Sequence, residues 1–366
     1  LQKLKSIEML RGFAALLVVL FHTQKIFGAH TANTPFFGMF NGGFRGVDLF
    51  FVLSGFIIFY VHQTDLGHPG RLGHYLFNRI TRIYPAVWIM SCFALALYLS
   101  GYGGADKAAK LGAYNIAASF LLLPQFSDAL VNVTWTLKYE VFFYLVFAVL
   151  IVNRRAGLVI FVLWQIIALF VSQFLNFDRL GLAGFYATSL CLEFTVGIGC
   201  AVILSRTMSK TPKIQPILLW SLLCAGIVIF GEGMGTEPDR DSQIAHLGVG
   251  LLAPHAWSAS FLCVAGSACL IVSLVLLERS GRIAPPKPLV YLGNASYSIY
   301  IVHYSVITLL AGIAVHFHLP IDNLVCLMAA GIAVCFGCLF HSLIDRPLQA
   351  RLRGGTKPVV LREAAP

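Results

Sequence analysis

The sequence predicts an all-α fold, a polytopic membrane helix bundle of about ten transmembrane helices. Three observations carry that prediction. Hydrophobic residues make up 58% of the 366-residue chain and charged residues only 11%, whereas a soluble domain carries roughly 25% charged residues. The mean hydropathy of +0.80 means that lipid, rather than water, must solvate most of the surface. The apolar residues also arrive in separate runs, each near the ~20 residues that a helix needs to cross ~30 Å of hydrocarbon.

Taken in order, the runs place spans at 9–28, 45–63, 83–100, 134–152, 156–176, 185–204, 214–231, 257–277, 289–315 and 322–342. Alternate connections then fall on alternate sides of the bilayer. Of the 26 Lys and Arg in the chain, only Lys25, Arg45, Lys107, Lys110, Lys138, Arg179 and Arg240 fall on the side opposite the N-terminus. The positive-inside rule therefore puts both termini in the cytoplasm, and the even span count preserves that bias. Segment 111–126 is apolar but short and ends near Pro124. It reads as a re-entrant or interfacial helix, because a further span there would invert every later loop. A cytoplasmic loop is expected over 64–82 and an acidic, Gly-rich outer loop over 232–256. Residues 1–353 form one integral-membrane domain, followed by a flexible cytoplasmic tail over 354–366.

The net charge of +10 sits in short clusters between apolar runs and forms no basic surface interleaved with aromatics, so nucleic acid is not an expected partner. The nine cysteines lie nearly all inside apolar runs and read as inert thiols. Cys335-x-x-Cys338 has no soluble βαβ context and reads as small residues for helix packing. The histidines lack zinc spacing, so no metal is expected.

Charged and titratable side chains inside apolar spans are costly and mark functional sites by default. In the first span Arg11 and His22 are eleven residues apart, which puts them on one helix face about 16 Å apart along the axis. Arg11 could also be a topological anchor, and His22 a packing group. In the second span Arg45 and Asp48 could pair at i, i+3. Ser54 and Gly55 permit close helix approach, and no Gly-x-Ser-x-Gly turn marks Ser54 as a nucleophile. Arg79 and Arg82 share a helix face at the entry of the third span, where they suit phosphate binding or lipid headgroup contact. Glu140 in the fourth span is expected at a depth similar to His22, where it could orient the imidazole. His303 in the ninth span is a second candidate base or a packing histidine.

As an ordered set these segments resemble the acyltransferase-3 family of bacterial membrane O-acyltransferases. The matching elements are Leu10-Arg11-Gly12 followed by His22, Asp48-Leu-Phe-Phe-Val-Leu-Ser54-Gly55-Phe56 and Arg79-x-x-Arg82-x-x-Pro85. Trp135-x-Leu137-x-x-Glu140, Ser298-Ile-Tyr300-x-x-His303 and Asp345-Arg-Pro347 complete them. Glu8 stands where an Asp commonly precedes the first element, and Asp345 where a Glu is frequent; both keep the charge. The resemblance implies an enzyme of the bacterial inner membrane that moves an acetyl group from acetyl-CoA to a hydroxyl of a surface or secreted glycan or of its lipid-linked precursor. It further implies donor binding by Arg11, Arg79, Arg82 and Ser54, with His22 as general base or transient carrier of the acetyl group, Glu140 as its support and His303 in reserve. The rival readings are a multi-span transporter, disfavoured by the missing internal repeat, and a non-enzymatic partner of polysaccharide export.

Overall fold

The computed structural model describes residues 3–101, 107–125, 127–174, 181–209, 215–235 and 254–354. Among these residues every regular element is helical, and ten helices are long and apolar enough to cross a membrane. The chain is a multi-pass membrane protein.

The long helices are α1 (Lys5–Gly28), α2 (Gly46–His62), α3 (Leu72–Leu99), α6 (Trp135–Val152), α7 (Arg154–Phe174), α8 (Leu190–Ser209), α9 (Pro216–Gly235), α10 (Pro254–Arg279), α11 (Lys287–His316) and α12 (Asn323–Phe340). Two short helices, α4 (Lys107–Lys110) and α5 (Ala113–Leu121), lie between α3 and α6. A π turn over His341–Asp345 joins α12 to the terminal α13 (Arg346–Arg353).

α1 packs along α11, α2 along α8, α9 along α10, and α11 also along α12. Lipid tails supply no hydrophobic drive between helices, so close approach depends on small residues. At the α1–α11 crossing a Cβ on Gly293 would run into the Glu8 backbone, and Gly12 faces Gly293 across the same contact. Gly55 and Gly197 do the same for α2 and α8. By contrast α7 turns Leu158, Val159, Val162, Ile166 and Phe170 outward, which is a lipid-facing stripe.

The third span departs from expectation. Residues 72–82, expected as loop, are the first turns of α3, which continues through Pro85 without a break. The charges of Arg79 and Arg82 depress the local hydropathy, yet their guanidinium groups turn inward to a cavity instead of ending the helix. Segment 111–126 contains a nine-residue helix, α5, only about 14 Å long and therefore not a span. It is held to α3 by Trp88 Nε1 donating to Phe120 O at 3.0 Å and Tyr84 OH donating to Leu121 O at 3.2 Å. Phe126, most of the expected 232–256 loop and the tail beyond Gly354 lie outside the described residues.

Candidate active site

Helices α1, α2, α3, α6, α11 and α13 enclose an open cavity with about 150 Å³ of water-accessible space. Arg11 from α1, Arg79 and Arg82 from α3 and Arg353 from α13 all line it, with Asn78, Ser54, Glu140 and Tyr144. Its apolar walls are Phe50, Phe51, Leu53 and Ile58, and Thr136 and Tyr300 also line it.

The arginines are held in different ways. Arg11 pairs with Glu8 at 3.2 Å, and Glu8 also meets Lys3 at 3.4 Å. Arg82 lies 3.9 Å from Asp345 and over the Tyr297 ring. Arg353 donates to Thr81 Oγ1 at 3.2 Å and to Asn78 O at 3.1 Å. Arg79 joins no carboxylate among the described residues. It reaches His62 Nε2 at 3.5 Å and lies near the Tyr75 and Tyr144 rings, and its buried Nε has no partner. A half-buried guanidinium with one unpartnered N–H and no carboxylate beside it is a favourable place for an anion.

Asp345 is the bracket that closes this end. Its carboxylate accepts from Ser298 Oγ at 2.9 Å and Gln349 Nε2 at 2.6 Å, and faces His341 Nδ1 at 3.4 Å. The π turn at His341–Asp345 brings those contacts together and sets α13 against α3.

Glu140 accepts a hydrogen bond from Ser54 Oγ at 3.3 Å and a short one from Tyr144 OH. It does not orient His22, because α6 turns it into the arginine cavity. His22 Nδ1 instead meets two groups at 3.0 Å, the Val18 carbonyl on its own helix and His303 Nε2. His303 is fully buried, and its Nδ1 meets Tyr300 O at 2.7 Å. The network assigns the tautomers: His303 donates from Nδ1 to the carbonyl and accepts at Nε2, so His22 donates from Nδ1 and its basic lone pair is on Nε2. Tyr304 packs edge-on to His22 at 5.2 Å, and Tyr300 lies 5.7 Å from His303. Tyr300 thus belongs to the cavity wall on one side and to the histidine pair on the other.

An acyltransferase-domain pattern matches residues 4–340. The chain belongs to the acyltransferase-3 family. Over 344 residues it is 26% identical to the exopolysaccharide production protein ExoZ of Rhizobium meliloti, covering 92% of this chain and 96% of that protein. It is 23% identical to the peptidoglycan O-acetyltransferase OatA of Listeria monocytogenes, over 83% of this chain and 49% of that one. The O-acetyltransferase OatA of Staphylococcus aureus is likewise 23% identical, over 87% and 53%. The chain thus spans about half the length of these two O-acetyltransferases. No solved structure matches it significantly.

In this acyltransferase-3 protein the fold divides the sequence-predicted residues into two groups. Arg11, Arg79, Arg82, Ser54 and Glu140 share the cavity, while His22 and His303 pair beyond it. Arg353, Asn78, Tyr144 and Tyr297 were not singled out from sequence. Tyr144 carried a signal, one turn after Glu140 on the same helix face. Arg353 carried none, since only the π turn aims it inward.

Proposed function

We propose that this protein is an O-acetyltransferase of the bacterial inner membrane that carries an acetyl group from acetyl-CoA to a hydroxyl of a cell-surface or secreted glycan or of its lipid-linked precursor. Family membership supports acyl transfer, and the names of ExoZ and OatA support a glycan as acceptor. The observation that carries the donor is Arg79, a guanidinium with no carboxylate partner among the described residues, in a cavity with three other arginines. Phosphates of CoA supply the missing negative charge through bidentate, charge-assisted hydrogen bonds. The positive-inside distribution supports placing this end in the cytoplasm.

The acetyl-pantetheine arm then follows the apolar walls toward Thr136 and Tyr300, next to the histidine pair. His22 Nε2 takes the proton of the acceptor hydroxyl as the oxygen attacks the thioester carbonyl. The C–S bond breaks, and the CoA thiolate receives that proton from the imidazolium, leaving ester and free thiol. Val18 O and His303 Nε2 share the His22 Nδ1–H and so keep the reactive lone pair on Nε2, and His303 is itself anchored by Nδ1 donating to Tyr300 O. Glu140 keeps Ser54 and Tyr144 in place on the cavity wall.

Purified protein given acetyl-CoA and a glycan acceptor should release free CoA only when the acceptor is present, and His22→Ala should abolish that release. Acceptor-independent transport of solute without CoA release would favour a transporter instead.

A further inference from the structure

Arg79 joins no carboxylate among the described residues, yet it is not left loose in the cavity. Its guanidinium lies 5.9 Å and 5.7 Å from the centres of the Tyr75 and Tyr144 rings. A third neighbour is His62, the last residue of α2, whose Nε2 is 3.5 Å from Arg79 Nη2. His62 is buried and stands outside the residues that line the cavity. Its ring packs edge-on to Tyr75 at 5.0 Å, and Tyr75 OH donates to Tyr144 O at 3.1 Å. Residues from α2, α3 and α6 therefore meet around one guanidinium.

The other ring nitrogen fixes the sense of that contact. His62 Nδ1 lies 2.8 Å from Asp65 Oδ2, in the turn that follows α2. A carboxylate accepts and a guanidinium donates, so Nδ1 carries the proton and the lone pair on Nε2 faces Arg79. A doubly protonated ring would meet Arg79 donor to donor. Asp65 is itself held: its N–H donates to His62 O at 2.9 Å, and its carboxylate is 3.9 Å from Arg71 Nε. Two residues on, Gly67 N–H donates to Leu150 O at 3.0 Å and ties the turn to α6. A row of carboxylate, imidazole and guanidinium thus runs from the turn to the cavity wall. A carboxylate placed directly on Arg79 would hold it but compete with any anionic ligand. A neutral imidazole holds it and leaves its charge available.

We propose that His62 is a positioning residue for donor binding: with its proton held on Nδ1 by Asp65, it tethers Arg79 through Nε2 and presents the guanidinium, still charged, to the donor phosphates. The inference rests on the reading in which Arg79 meets the phosphates of CoA, and it adds His62 and Asp65 to that machinery. Loss of the tether costs affinity for the phosphate-bearing part of the donor. It leaves the chemical step alone, because neither residue touches the His22–His303 pair.

The test is binding of acetyl-CoA, and of S-acetyl-pantetheine as the probe without nucleotide phosphates, to the purified, nanodisc-embedded protein. His62→Leu should weaken acetyl-CoA about fivefold, the value of one hydrogen bond, and leave S-acetyl-pantetheine unchanged. His62→Gln should rescue, staying within about twofold of wild type, because its amide accepts from Arg79 and donates to Asp65 as the imidazole does. Asp65→Ala, a change in the turn that keeps the buried ring, should show the same split between the two donors as His62→Leu. Wild-type affinity in His62→Leu or Asp65→Ala, equal weakening of both donors, or a His62→Gln as weak as His62→Leu overturns the proposal. Arg79→Gln in the same series separates the two failures. If it too binds acetyl-CoA as wild type does, the donor reading falls; if it alone is weakened, only the tether does.

Discussion

Arg79 sets burial against charge most directly. Its neighbours Arg11 and Arg82 each have a carboxylate within 4.0 Å, whereas Arg79 has a histidine and two aromatic rings. Arg79→Gln should raise KM for acetyl-CoA about ten- to hundredfold, the loss of a charge-assisted phosphate contact, and leave KM for S-acetyl-pantetheine, which lacks the nucleotide phosphates, unchanged. Steady-state kinetics with both donors checks this. For His303 the prediction falls on turnover: His303→Ala should lower kcat by about 10²-fold or more, as for loss of a group that holds a general base in its working tautomer. KM for acetyl-CoA should stay near wild type, because His303 lies outside the cavity that binds the donor. At this scale the sequence revealed residue types well, since an arginine, glutamate or histidine inside an apolar run is conspicuous. It did not reveal pairing. Depth alone matches Glu140 with His22, but the rotation of α6 gives Glu140 to Ser54 and Tyr144, and that rotation is fixed by packing of α6 against α7 and α3.

Helix contacts govern how firmly these residues are held. Gly293 meets the Glu8 backbone at the α1–α11 crossing, the contact that brings His22 to His303. Gly293→Leu should force α1 and α11 apart and lower the thermal midpoint of the detergent-purified protein by several degrees. Gly199→Ala on α8, with nothing near its Cβ position, should not, and the two can be compared in one thermal-shift experiment. The π turn is the other element with leverage. Asp345→Ala removes the shared acceptor of Ser298 and Gln349 and the counter-charge of Arg82, so it should weaken acetyl-CoA binding without touching the histidine pair. Most helices were visible in sequence to within a few residues. The start of α3 was not, because a hydropathy window counts Arg79 and Arg82 as water-facing when the cavity shelters them.

Across the whole molecule, the fold sets a four-arginine cavity next to a buried histidine pair within one bundle. The tyrosine and threonine at the cavity's inner wall join the two. The orientation of the bundle was partly legible from the distribution of basic residues, which predicts the arginine end in the cytoplasm. A fluorescent protein fused after the C-terminus should accordingly be fluorescent in cells, and alkaline phosphatase in the same place inactive; the reverse pattern would invert the topology. What the sequence could not supply is the order of residues along the interior route, since that depends on six helices meeting at chosen depths.

The most direct test of a path from the arginine cavity to His22 is a single-turnover experiment with labelled acetyl-CoA and an acceptor glycan, using reconstituted wild type, Arg79→Gln and His22→Ala. Wild type should move label to the glycan and release one CoA for each ester formed. His22→Ala should bind acetyl-CoA as wild type does and transfer nothing, and Arg79→Gln should transfer at full rate once donor is saturating. Label transfer by His22→Ala at the wild-type rate would contradict the assignment of the imidazole to the chemical step.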